Sequence, residues 1–318
     1  MFYHLLYGEQ IVAIERIAYY FVYAFFIISG FSLYITYVNR LINMSDVRAY
    51  AVKRFRRIAP LFYLACLLQM LLVDSPNWKT VMLNMSLMFG FANPDSSSMV
   101  MGGWSIGIEM AFYVAFPVIV ILTNRKLVLL STVATASIIL MAIFLNSTLS
   151  GQEQMTSELW RAYTQPIAFW GYFAFGCLLG EAYLRYRQAL KGHWLWFPMI
   201  GLSAVPFFFV QVDNDISLLT GWEGALLMSS TLLMISSVAF AKEPSGHTLW
   251  VAQWLGRLSY PIYLLHPIMY LGIVSPLVKD NPSLRIGLTV ITTLAFSTLV
   301  HHIIERRLGG SARLPAST

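Results

Sequence analysis

Residues 50–63, YAVKRFRRIAPLFY, decide how this chain is read. Four cations (Lys53, Arg54, Arg56, Arg57) stand directly against an apolar run that opens with Ile58 and holds Pro60. Lys and Arg at the mouth of a hydrophobic segment resist translocation, so they fix which end of that segment stays in the cytoplasm. The same cluster can also hold an anion at the boundary between water and lipid. From composition alone both readings stand.

The rest of the chain repeats the pattern. Of 318 residues 58% are hydrophobic and 11% charged, with 21 Phe, 17 Tyr and 9 Trp. A soluble domain carries about a quarter charged residues. Apolar runs long enough to cross a bilayer recur throughout, which predicts an all-α, polytopic transmembrane bundle. The net charge of +6 comes mostly from short basic stretches between those runs, so it signals membrane orientation and not nucleic-acid binding. Cys66 and Cys177 lie inside apolar runs at no metal or redox spacing and read as small buried hydrophobes.

Complete spans are expected at residues 17–38, 58–73, 104–122, 127–145, 166–184, 194–210, 222–241, 256–275 and 284–304. MFYHLLYG at the start reads as the last turns of a further helix whose beginning precedes Met1. The first complete span holds FFIISGF, where Ser29 and Gly30 permit close helix approach. Residues 39–57 are expected to be a basic loop. Residues 80–92, with Asn84 and Ser86, are too short to cross and read as a re-entrant or interfacial segment.

Charge settles that last point. With residues 39–57 inside and 80–92 not crossing, Arg125, Lys126, Arg185, Arg187, Lys191, Lys242, Arg306 and Arg307 all fall inside, and Asp213, Asp215 and the link 146–165 fall outside. A crossing at 80–92 would invert every later loop against the positive-inside rule. The expectation is ten crossings with the truncated first helix counted, both termini cytoplasmic, one membrane domain over residues 1–308, and a frayed tail at 309–318.

Titratable groups within spans cost about 2.5–3.5 kcal/mol each near the bilayer centre, so each needs a reason. Glu109 either binds a cation, pairs with an Arg, is protonated, or partners a neighbouring helix. His266 precedes Pro267, which frees backbone carbonyls in the preceding turn; the imidazole either bonds one of them or serves chemistry. His4 lies near the end of the first helix. Two imidazoles and one carboxylate in a dry bundle are what proton transfer to or from a hydroxyl requires. His301 and His302 read as interfacial residues at a helix C-terminus. Tyr19, Tyr20, Trp160, Trp194, Trp196 and Trp222 read as an aromatic belt.

FFIISGF, KRFRRIAPLFY, WSIGIEMAFYVAFP and LGRLSYPIYLLHP, in that order, resemble the membrane-bound acyltransferase 3 family of bacterial O-acyltransferases. The resemblance runs from His4 to about Arg307. It implies transfer of an acyl group, most often acetyl from acetyl-CoA, to hydroxyls of surface or exported saccharides at the inner membrane, with acyl-CoA as co-substrate and no bound cofactor. The family's first helix carries an Arg upstream of a His; His4 is similar to that His, and the Arg would fall before Met1. The resemblance further implies acyl-CoA contacts at Lys53, Arg54 and Arg57. It implies catalytic roles for His4, Glu109 and His266, and a pocket lined by Ser29, Trp104, Ser105, Tyr260 and Tyr263. Two other classes stay open: a transporter or flippase of lipid-linked saccharides using intramembrane His and Glu for protons, and an inactive relative lacking the upstream Arg.

Overall fold

The computed structural model describes residues 15–74, 76–123, 125–210 and 214–305. His4, Asp213, Arg306, Arg307 and the tail at 309–318 lie outside the described residues. Among the described residues all regular structure is helical. The long helices are α1 (Glu15–Tyr37), α2 (Met44–Leu72), α3 (Trp104–Thr123), α4 (Leu127–Leu149), α5 (Ile167–Leu190), α6 (Trp196–Phe209), α7 (Trp222–Phe240), α8 (Gly246–Ile268) and α9 (Pro282–Val300). Each expected span has its helix. All but α6 are long and apolar enough to cross a membrane. The 14 residues of α6 rise about 21 Å, short of the ~30 Å hydrocarbon core.

The expected basic loop is a correction. Only its first residues are irregular; from Met44 onward it is the first half of the 29-residue α2. The reason is local. Asn43 accepts from the Asp46 backbone while the Asp46 carboxylate accepts from the Asn43 backbone, a capping box that starts the helix before the cations arrive. Helical spacing then separates the cations around the axis. Lys53, Arg56 and Arg57 are exposed, whereas Arg54 is half-buried.

Residues 78–103 form the non-crossing segment. Trp78–Met85 is an eight-residue helix, a rise of about 12 Å. Leu87 takes a positive φ of 58°, and the chain folds back through a 3-10 turn at Phe89–Phe91. The fully buried Asn84 holds this hairpin. Its amide nitrogen donates to the Thr80 and Ser97 carbonyls, and its oxygen accepts from the Met99 backbone. Gly90 lies so close to Gly107 of α3 that an added Cβ would sit 1.9 Å from the Gly107 carbonyl oxygen.

The core is set by α1 against α5. A Cβ on Gly30 would meet the Phe173 carbonyl oxygen at 2.3 Å, and one on Gly176 the Ile27 oxygen at 2.1 Å. The two backbones touch because neither glycine has a side chain, the packing that small residues permit in lipid. Cys66 and Cys177 are buried in this core.

Tyr19 and Tyr20 depart from the expected belt. Both are buried, with the Tyr20 hydroxyl donating to the Leu218 and Gly224 carbonyls and that of Tyr19 to Asp215. Trp194 and Trp222 are exposed, as belt residues are. Gly30→Ala or Gly176→Ala is expected to destabilise by about 1–3 kcal/mol, lowering the unfolding midpoint in detergent. Gly201→Ala, with nothing within 4 Å of its added methyl, should leave the midpoint unchanged or raise it. Equal midpoints for all three would refute the close α1–α5 contact.

Candidate functional site

Ser105, Glu109 and Tyr113 recur every four residues on α3, so one face of that helix carries all three. The face is buried. Glu109 accepts from the Tyr113 hydroxyl at 2.5 Å and from the Ser29 hydroxyl of α1 at 3.2 Å. Ser29, adjacent to the Gly30 contact, is thereby both a packing residue and a ligand of the carboxylate.

Arg54 reaches toward Glu109 through two tyrosines. Its Nη2 donates to the Tyr37 hydroxyl at 2.8 Å. Its guanidinium carbon lies 5.0 Å from the Tyr37 ring centre and 5.7 Å from that of Tyr113, within the range of attraction between a cation and an aromatic face. Its Nε is buried and bonds nothing among the described residues. A guanidinium fixed in this way keeps donor capacity for an anion. Tyr50 holds the surrounding frame, its hydroxyl donating to the Tyr113 carbonyl.

The other end of that face meets α8. The Tyr263 hydroxyl donates to the Gly102 carbonyl at 2.5 Å, and the Ser105 hydroxyl, 2.7 Å from the Tyr263 oxygen and 3.3 Å from that carbonyl oxygen, has its one proton to give to either. His266 sits one turn on from Tyr263, with ring centres 6.3 Å apart. Its Nδ1 is 3.0 Å from the Ile262 carbonyl oxygen and 2.9 Å from that of Tyr263. The second is the carbonyl that Pro267, lacking an N–H, leaves without a helical donor. Carbonyls only accept, so Nδ1 carries a proton, and in the neutral ring Nε2 is then the basic nitrogen. The imidazole thus repairs the helix with its Nδ1 edge. Beyond it α8 passes into a π-helix at Met269–Val274.

The structure thus sets two polar groups along one face of α3: Ser29, Glu109 and Tyr113 with Arg54 against the Tyr113 ring, and one turn earlier Ser105 with Tyr263, which precedes His266 on α8. Tyr260 donates to the Ile58 carbonyl, tying α8 to α2. Trp104 is elsewhere, packed in an aromatic cluster with Trp160, Tyr163 and Phe169. Lys53 and Arg57 remain on the exposed side of α2.

Two partners escaped the sequence reading. Tyr113 was legible in principle, four residues past Glu109. Tyr37 was not, because nothing local links it to Arg54. Glu181 was missed as well. It is buried, accepts from Tyr34 and Arg185, and lies 3.6 Å from Arg125. Arg125 and Arg185, read from the sequence as marks of membrane side, are also its ion-pair partners.

A model of the acyltransferase 3 family, described as an acyltransferase domain, matches residues 1–302. Comparisons with curated proteins and with solved structures gave no match.

Tyr113→Phe removes the shorter of the two bonds to Glu109 and leaves a buried carboxylate half satisfied. The expected loss is about 1–3 kcal/mol, read as a lower unfolding midpoint of the purified protein. An unchanged midpoint would show that the hydroxyl does not hold the carboxylate.

Proposed function

The chain belongs to the acyltransferase 3 family, and from that premise we propose that it carries an acyl group, acetyl by preference, from acyl-CoA to a hydroxyl of a saccharide handled at the membrane. The observation that carries the reading is Arg54: a half-buried guanidinium with a spare buried donor, set against the ring of Tyr113, whose hydroxyl donates to the Glu109 carboxylate inside the bundle. An anionic carrier and a buried reaction centre need this pairing of outer cations with inner polar groups.

In this reading Lys53, Arg54 and Arg57 hold the phosphates of coenzyme A through charge-assisted hydrogen bonds. The acyl-pantetheine arm enters the bundle, where water is excluded from the thioester. His4, the counterpart of the family's histidine, takes the proton from the acceptor hydroxyl. The hydroxyl oxygen bonds to the carbonyl carbon, the carbon–sulfur bond breaks, and the thiolate leaves with that proton. In this reading the Ser105 hydroxyl turns from its present acceptors to donate to the carbonyl oxygen as charge develops on it, while Tyr263 stays on the Gly102 carbonyl. Glu109 orients the imidazole or the acceptor, and Nε2 of His266 supplies a second basic nitrogen. In the same reading the basic rim and both termini are cytoplasmic, as positive-inside counting favours, and the membrane is a bacterial inner membrane, as the family resemblance implies.

Purified full-length chain incubated with labelled acetyl-CoA and a saccharide acceptor tests the reading. Consumption of the thioester with label appearing on the saccharide supports it; an intact thioester favours the transporter class. Arg57→Ala, at an exposed position, should raise KM for acyl-CoA by about 10-fold or more, the effect of losing a bond to a charged group. His4→Ala should abolish transfer while donor binding stays measurable. Unchanged turnover in that variant would remove His4 from the chemistry.

A further inference from the structure

A second site lies away from the polar face of α3. A groove of about 660 Å3, open on one side, is walled by Phe31 and Ile35 of α1, Phe197 and Ile200 of α6, and Val238 of α7, with Lys191, Lys242 and Glu243 among its lining residues. Its size falls inside the ~300–1,000 Å3 range of ligand sites. Phe31 and Ile35 are offset from Ser29 by roughly 200–240° around α1 at 100° per residue. The groove therefore faces away from Glu109.

Its polar mouth coincides with helix ends. α5 stops at Leu190, α6 starts at Trp196, α7 stops at Phe240 and α8 starts at Gly246. Where apolar helices end, the headgroup layer begins. Trp194, 68% exposed, stands at the same level, as interfacial tryptophans do. An apolar groove beside such a boundary is within reach of lipid acyl chains.

The charge at the mouth is positive. Lys191 is in an ion pair with Glu243 and donates to the Tyr183 hydroxyl; the Glu243 bond, then the Tyr183 bond, raises its pKa and keeps it protonated. Lys242 is exposed, so the mouth keeps one cation beyond the neutral pair. Arg187 lies one turn before Lys191 and adds to the same sign.

We propose that this groove binds one anionic glycerophospholipid, with an acyl chain along Phe31, Ile35, Phe197, Ile200 and Val238 and the headgroup phosphate at Lys242 and Lys191. Charge complementarity selects an anionic headgroup over a zwitterionic one, because a choline beside the phosphate would set a second cation against Lys242. The binding is independent of acyl transfer.

Native mass spectrometry of the full chain, incubated with equal amounts of phosphatidylglycerol and phosphatidylcholine and then released from detergent, tests it. The expected result is one retained lipid per chain with phosphatidylglycerol favoured about fivefold, the effect of a single basic residue beside an anionic lipid. Lys242→Glu should bring the ratio to about one, Lys242→Arg should keep it, and Ile200→Trp should reduce retention of both lipids by filling the wall. Lys242→Ala serves if the charge reversal fails to fold, and should also lower the ratio. Equal retention of the two lipids by the unaltered chain, or an unchanged ratio once Lys242 is replaced, would overturn the proposal, as would undiminished retention in Ile200→Trp.

Discussion

A carboxylate stays inside an apolar bundle only where the protein itself supplies its hydrogen-bond donors, and Glu109 is where this chain meets that constraint. The donors come from two helices. Tyr113 belongs to the same helix as Glu109, and Ser29 belongs to α1. α1 can come close enough because Gly30 and Gly176 let it lie directly on α5. Removing the glycine contact would therefore disturb the carboxylate as well as the packing. The electrostatics of the site and the steric fit of the core are one arrangement.

The tyrosines connect this interior to the rim. Tyr37 and Tyr113 hold a guanidinium between them, so Arg54 is drawn out of the exposed cation row of α2 and toward the bundle. Aromatic faces and phenol oxygens suit this role, since they attract a cation without neutralising it. A carboxylate in direct contact would have cancelled the charge. About one turn back along α1 that choice is made: Tyr34 donates to Glu181, which is buried against Arg185 and near Arg125. One cluster is satisfied within itself, while the other keeps a donor in reserve at Arg54 Nε.

The proline in α8 shows how a titratable side chain serves a structural repair. Pro267 leaves the Tyr263 carbonyl without its helical donor, and His266 covers it with Nδ1. That bond fixes the tautomer, so in the neutral ring the lone pair falls on Nε2. The Tyr263 side chain meanwhile meets Ser105 and the Gly102 carbonyl. Gly102 ends the hairpin that Asn84 organises, and so the non-crossing segment helps to place the hydroxyl pair.

Composition and run length alone determined that the chain is a bundle of apolar helices, and segment length determined that residues 80–92 hold no helix long enough to cross a membrane. Both follow from a one-dimensional rule, the cost of placing polar groups in hydrocarbon. Glu109 and His266 stood out for the same reason. The start of α2 was written in Asn43 and Asp46 but was masked by the density of charge that follows. What only the tertiary structure decided is which groups meet: Tyr37 with Arg54, Ser29 with Glu109, Ser105 with Tyr263, and Glu181 with Arg125. These partners lie far apart in the chain, and helical periodicity fixes only the face a residue occupies on its own helix. The neighbour across the gap is set by which backbones can approach, and that depends on the whole packing.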